Sequence, residues 1–286
     1  PKFRWIANEY FSKEGLFPVG DVHTYKIGFI NRDGNLAIPC KYYGVDAFHE
    51  GMALVTNGLY MGAIDVNGNE TIPLMYNVMT DFSEGLAFAE TKTGQHGYID
   101  KSNKFVTEGD YTEGGLFVNG LAWVNDPISH LYGFIRKDGS YQVQPRYESV
   151  GCFWEGYAAV EQDGKWGFID QAGKLVIPCQ FSDVAVGFCE GLAPVRHGKW
   201  GYIGTDGTFK IDPQFDKVDI FCCSRAAVSW DDGSYGYIDK QGKTIWRCDH
   251  SSLKSAGNPL PFFSDMDYMP GKMKSRNGTL FGLSNR

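Results

Sequence analysis

"GKWGFIDQAGKLVIPCQF" runs from Gly164 to Phe181, and from Gly198 to Phe215 the chain spells nearly the same phrase, "GKWGYIGTDGTFKIDPQF". The glycine after Trp166 anchors a search in both directions. It finds Gly28, Gly62, Gly97, Gly133, Gly167, Gly201 and Gly236, at steps of 34, 35, 36, 34, 34 and 35. An aromatic or small residue and then Ile follow each anchor. Six residues on stands another glycine (Gly34, Gly68, Gly139, Gly173, Gly207, Gly242), with Asn103 as the exception in the third copy. Fourteen residues on stands an aromatic: Tyr42, Tyr76, Tyr111, Tyr147, Phe181 or Phe215. A Phe and a phrase of the form "EGLAxV" complete the period. Landmarks held in phase over this period mean stacked supersecondary units, none able to bury its apolar face alone.

Within one copy, "LAPVR" and "KWGYI" are β-type runs joined by "HG", and "GTDG" is turn chemistry leading to "TFKI". Three antiparallel strands per unit are expected. Pro39, Pro73, Pro178, Pro145 and Pro213 follow and are expected to end each sheet, since proline has no N–H for the ladder. The recurring Ala53, Ala87, Ala122, Ala158, Ala193 and Ala227, with the anchor glycines, are read as small residues that let neighbouring sheets approach. No stretch has helical periodicity.

The phrases "KWGFID" and "KWGYIG", the "DG" turns, the "IP" that follows and the "F-x-EGLA-x-V" runs resemble WG (or KWG) repeats, found in many bacterial proteins. The resemblance covers roughly residues 10 to 246. It implies a repetitive all-β scaffold and no fixed activity, so it carries over no catalytic residue.

Glu9 to Val19 repeats the "EGLAxV" phrase before the first anchor, and "FFSDMDYMPGKMKSRNGTLFGL" matches a late copy in outline, with Gly282 as a degenerate anchor. Eight hairpins result, with an insertion from Arg247 to Pro259. "KFRWI" (Lys2 to Ile6) is a strand without a hairpin before it, complementing a last hairpin without a third strand. The expected fold is therefore one all-β domain over residues 1–286: a propeller-like closed toroid of about eight three-stranded antiparallel units. An open β-solenoid is the alternative.

Composition narrows the function classes. The 286 residues are 43% hydrophobic and 21% charged, which describes a soluble globular protein rather than a disordered one. A net charge of −7 with scattered basic residues argues against nucleic acid. No apolar run reaches the ~18 residues of a membrane span. A cytoplasmic monomer is expected; the chain starts without Met, so a secreted or periplasmic protein with its signal removed is the alternative.

Tempting motifs dissolve against the repeat. "GYIDKQGKT" (Gly236 to Thr244) has the wrong glycine spacing for a phosphate loop and recurs in every unit as a hairpin. Cys40, Cys179 and Cys248 share one repeat position and Cys189 and Cys223 another, so the seven cysteines read as small apolar fillers with free thiols. The acids of "FID" (Asp65, Asp100, Asp170, Asp239) read as turn formers, ahead of a carboxylate ring for a metal or cation. No nucleophile, metal or cofactor spelling occurs, and no cofactor or metal is expected.

In a repeat scaffold, departures from the repeat are the candidates for function. The third unit departs most: His96 stands for Trp, Asn103 for Gly and Glu108 for Pro, before the odd "EGDYTEGG". Trp123 and Arg136 follow in the fourth unit, and Trp230 marks the seventh. His96, Glu108, Trp123, Arg136 and Trp230 are therefore the candidate binding residues. The expected function is a binding scaffold recognising a peptide, protein, glycan or other small molecule through one face or the axial channel. An enzyme with its site at the mouth of the toroid is the alternative.

Overall fold

The computed structural model describes residues 3–6 and 13–248. The expected eighth hairpin and the insertion beyond Cys248 lie outside the described residues. Every regular element among them is a β-strand, and the strands pair antiparallel. The described residues divide into two compact units, one built on residues up to Ile128 with Ile135–Ser140, the other on Ser129–Phe134 and residues 141–248. The division falls inside the fourth repeat.

The fifth repeat shows the common pattern. Its sheet holds four strands in chain order, Ser149–Val150, Tyr157–Gln162, Lys165–Asp170 and Leu175–Phe181. The sixth has the same order in Asp183–Val184, Leu192–His197, Lys199–Gly204 and Phe209–Phe215, and the seventh in Lys217–Val218, Arg225–Ser229, Tyr235–Asp239 and Thr244–Cys248. Four strands, not the expected three, is thus the rule. The extra outer strand comes from the linker: Leu175–Phe181 leaves its own sheet, and after Ser182 the chain pairs as Asp183–Val184 with the next hairpin. Ser182 itself donates its N–H to the Arg196 carbonyl. Between the second and third repeats the two pieces fuse into one strand, Glu70–Met79, merging both repeats into a seven-stranded sheet. A short outer strand supplied by the preceding linker, or the fused strand Glu70–Met79, ties most of these repeats to the next.

The N-terminal segment forms the strand Phe3–Ile6. It pairs with Phe17–Asp21, taking the outer position on the first hairpin. It has a hairpin partner of its own.

Proline does not end the sheet. Pro39, Pro73, Pro145, Pro178 and Pro213 all lie inside the third strand. In the fifth repeat Trp166 faces Phe181 while Phe168 faces Ile177, so one residue, Gly167, opposes three, and Pro178 sits in that bulge. A missing N–H costs nothing at a bulge, where the ladder is already interrupted. The same bulge explains the anchor glycine. A Cβ on Gly167 would lie 2.5 Å from the Ile177 carbonyl oxygen, and one on Gly28 2.3 Å from that of Ile38. The close approach is between adjacent strands of one sheet, not between sheets as expected. The alanine register also shifts by one in the seventh repeat, where Ala226, facing Ile238, matches Ala53 facing Ile64.

Hairpin strands are buried on both faces: Met52–Thr56 entirely so. Third strands bury only one residue per turn of pleat, with Ile38, Ile72, Ile177 and Ile211 under 5% exposed. Ile38, Ile177 and Ile211 each receive the turn glycine of the following repeat. Cβ positions at Gly68, Gly207 and Gly242 would lie 3.1, 3.3 and 2.9 Å from Ile38, Ile177 and Ile211.

Candidate binding surface

The regular turns define what a departure is. Asp65 accepts hydrogen bonds from the N–H groups of Asn67 and Asn69 at 2.9 Å each, and Asp100, Asp170 and Asp239 do the same in their own turns. The acids are turn formers. Where Arg136 and Gly204 replace them, Asp138 and Asp206 take over two residues later, accepting from Ser140 and Thr208. Arg136 donates to the Ser140 hydroxyl at 3.1 Å from an exposed turn.

A second regularity was not read from the sequence. The "EG" pair forms the two-residue tip between His49 and Met52, whose N–H and C=O groups bond each other. Glu50 and Gly51 have φ of 52° and 80°, and the tips at Glu84, Asn119, Glu155, Glu190 and Cys223 are likewise left-handed. Two positive φ values favour Gly or Asn, yet Glu stands first in the turn. The reason lies in the next repeat. The Glu50 carboxylate accepts the N–H groups of Glu84 and Gly85 at 2.7 and 3.0 Å, and Lys101 approaches it at 3.2 Å. Burial raises the Glu50 carboxyl, but those N–H groups and Lys101 outweigh it and hold the group below its ordinary value. Glu84 reaches Gly120, Glu155 reaches Glu190 and Gly191, and Glu190 reaches Ser224. The recurrence of Glu at a left-handed position was the signal that could have revealed this latch.

The regularity fails after the third repeat. Its last strand, Phe105–Glu108, ends early, and the sheet of the fourth repeat has three strands, Leu121–Asn125, Tyr132–Arg136 and Tyr141–Tyr147. In place of an outer strand there is one bridge, Gly114 to Val124. The Asn125 side chain accepts the N–H groups of Thr112 and Glu113 at 3.1 and 2.8 Å, doing what a strand backbone does elsewhere. Asn119 stands at the latch position. The resulting loop exposes Glu108 and Asp110, with Glu113 half-buried.

The five candidate residues separate. His96 and Glu108 lie on adjacent strands but one position out of register: Glu108 faces Gly97, and successive side chains of a strand point to opposite faces. His96 stacks on Phe88, its Nε2 3.8 Å from a Glu90 oxygen. Trp123 is buried, with its indole against Gly115, where a Cβ would lie 2.1 Å from the ring nitrogen. Arg136 occupies the turn end of its strand, the opposite end from the His96 position in repeat register. Trp230 belongs to the seventh repeat, held between Phe215 and the Arg247 guanidinium, 4.3 Å from its ring centre. Arg247 is in turn paired with Asp232. Among the described residues no three metal-ligating side chains converge, and no helix is long and apolar enough to cross a membrane.

A family profile described as WG containing repeat matches residues 27–58, 61–92, 97–126, 132–166, 166–199 and 200–231. No curated protein sequence matches the chain. Among solved structures, a eukaryotic initiation factor is similar at a TM-score of 0.61 and 11% identity, over 86% of this chain and 76% of that one. The computationally designed Ika8 protein is similar at a TM-score of 0.52 and 15% identity, over 85% and 86%. At such identities the likeness concerns the fold, which is propeller-like.

Proposed function

The chain belongs to the family of WG-containing repeats, and from that premise we propose that it is a binding scaffold whose recognition surface is the irregular stretch from Glu108 to Gly115. The observation that carries this reading is the break in strand sharing. Among the described residues five repeats hand a strand, or a fused strand, to their neighbour; the third hands over a loop held by Asn125. An outer strand contributes burial and ladder hydrogen bonds, so a repeat that gives it up loses stability for which the fold itself shows no return. The loop presents the exposed carboxylates of Glu108 and Asp110, a chemistry suited to a peptide or protein segment carrying Lys or Arg.

The overall arrangement we propose is a closed, propeller-like toroid of about eight units. Trp246 supports closure. It faces Tyr237 as Ile211 faces Tyr202, yet it is 46% exposed where Ile211 is 3%. A position buried by the following repeat elsewhere calls for a cover here. At the first repeat the complementary feature appears: among the described residues a Cβ on Gly34 meets nothing within 4 Å, unlike those on Gly68, Gly139, Gly173, Gly207 and Gly242.

The test is a peptide array and a glycan array, each probed with the full chain. Capture of basic peptides, weakened tenfold or more (about 1.4 kcal/mol) by Glu108→Lys at unchanged melting temperature, is expected. No peptide capture, or capture indifferent to Glu108→Lys, overturns the reading.

A further inference from the structure

The hairpin tip of the seventh repeat carries chemistry that the repeat does not require. Elsewhere the two left-handed positions hold Glu-Gly or Asn-Gly; here they hold Cys223 and Ser224, with φ of 52° and 60°. A side chain in the left-handed region costs about 1 kcal/mol, and the exchange also gives up the glutamate that latches onward. Packing offers no compensation, because Cys222 and Cys223 are both exposed. They are not the small buried fillers expected from repeat position. Cys222, bridged to Arg225, is the match of Cys189, bridged to Leu192, rather than Cys223. The Cys222 and Cys223 sulfurs lie 3.9 Å apart. Among the described residues no third ligand converges on them to make a metal site, but two thiols suffice for two-electron chemistry.

We propose that Cys222 and Cys223 form a reversible dithiol–disulfide site that reacts with low-molecular-weight disulfides. One thiolate attacks such a disulfide, forming a mixed disulfide and expelling one thiolate. The neighbouring cysteine then attacks the protein sulfur of the mixed disulfide, forming the Cys222–Cys223 bond and expelling the second thiolate. Both protein thiols lose their protons to solvent, the protein pair is oxidised, and the small disulfide is reduced to two thiols. Adjacent Cα atoms stand about 3.8 Å apart, closer than the ~4.4–6.8 Å favoured by disulfides. The bond is strained and therefore easily reduced, which makes it a responsive site rather than a staple. It also has a structural reader. The Ser224 N–H donates to Glu190 at 3.0 Å, and Lys240 pairs with the same carboxylate. Reshaping the tip loosens the latch between the sixth and seventh repeats.

The experiment treats the reduced full chain with glutathione disulfide, then counts thiols and maps peptides by mass. The wild type is expected to lose two thiols and two hydrogens of mass without retaining glutathione, with the link between Cys222 and Cys223, and to recover both thiols in dithiothreitol. Cys222→Ser and Cys223→Ser are each expected to trap one glutathione as a stable adduct, since the resolving thiol is gone. A wild type that keeps all seven thiols, retains the adduct, or links either cysteine to Cys189 overturns the proposal.

Discussion

The fifth repeat and the third begin alike and part after their third strands. Both anchor a hairpin on a glycine that no other residue can replace: a Cβ would come within 2.5 Å of a carbonyl at Gly167 and 2.1 Å at Gly97. The fifth then runs through a proline bulge and delivers a strand to the sixth, while its Glu155 carboxylate closes on the next turn at 2.7 and 2.8 Å. The third stops at Glu108, without the proline, and delivers a loop. The hairpin is therefore the conserved physical unit within this chain, and the connection is the part free to vary. Folding constraints concentrate inside the sheet; the joint between sheets can be given to another purpose.

The largest effects should fall on what the two repeats share. Gly167→Ala and Gly97→Ala should each destabilise by about 3 kcal/mol or more, since backbone must move to admit the Cβ. Denaturant unfolding checks this. A mild effect at Gly97 alone would mean that the third repeat is loose throughout, and not only after its last strand.

Next comes a contrast of carboxylates. Asp81 is pushed up to about 6 by burial and by Asp46 beside it, with His49 opposing. The folded protein thus holds that proton more tightly than the unfolded chain, so the group's contribution is most favourable below its ordinary value of 3.8 and falls as pH rises through about 6. Asp81→Asn should stabilise by about 2 kcal/mol above that range and by little at pH ~4. Glu50, held below its ordinary 4.5, has the opposite sign: its latch is fully present above that value and is lost as pH falls through the depressed one. Melting temperature against pH separates the two, Asp81→Asn flattening the alkaline side and Glu50→Gln the acid side.

Glu155→Gln, which leaves one good acceptor for two N–H donors, should cost about 1–1.5 kcal/mol. Asn125→Ala should cost about 1 kcal/mol and free the amides of Thr112 and Glu113 to exchange with solvent, because those donors reach water. If Asn125→Ala protects or leaves those amides unchanged, the loop has other support.

The sequence revealed the hairpins because their demands are local. Glycine at a bulge or a left-handed turn, and Asp65, Asp100, Asp170 and Asp239 bonding their own turns, leave marks at fixed spacing. Strand sharing was not legible, since Asp183–Val184 belongs to the next sheet only through pairing, which no composition signals. Proline read alone suggested a stop; its bulge is visible only with the facing glycine. The Glu latch left a periodic mark, but its partner is a backbone N–H a repeat away. The candidate residues were found as departures, and departure alone did not distinguish Trp123, buried behind Gly115, from exposed Glu108.

The most direct measurement repairs the irregular joint. Replacing Glu108–Gly115 with the sequence of Pro178–Ala185, together with Trp123→Leu to make room, should restore an outer strand to the fourth repeat. The repaired chain is expected to melt at or above the parent temperature and to lose tenfold or more of its affinity for the basic peptide captured on the array (about 1.4 kcal/mol). A repaired chain that melts normally and binds that peptide as the parent does would contradict the account, and would show that the loop is a tolerated flaw in the repeat.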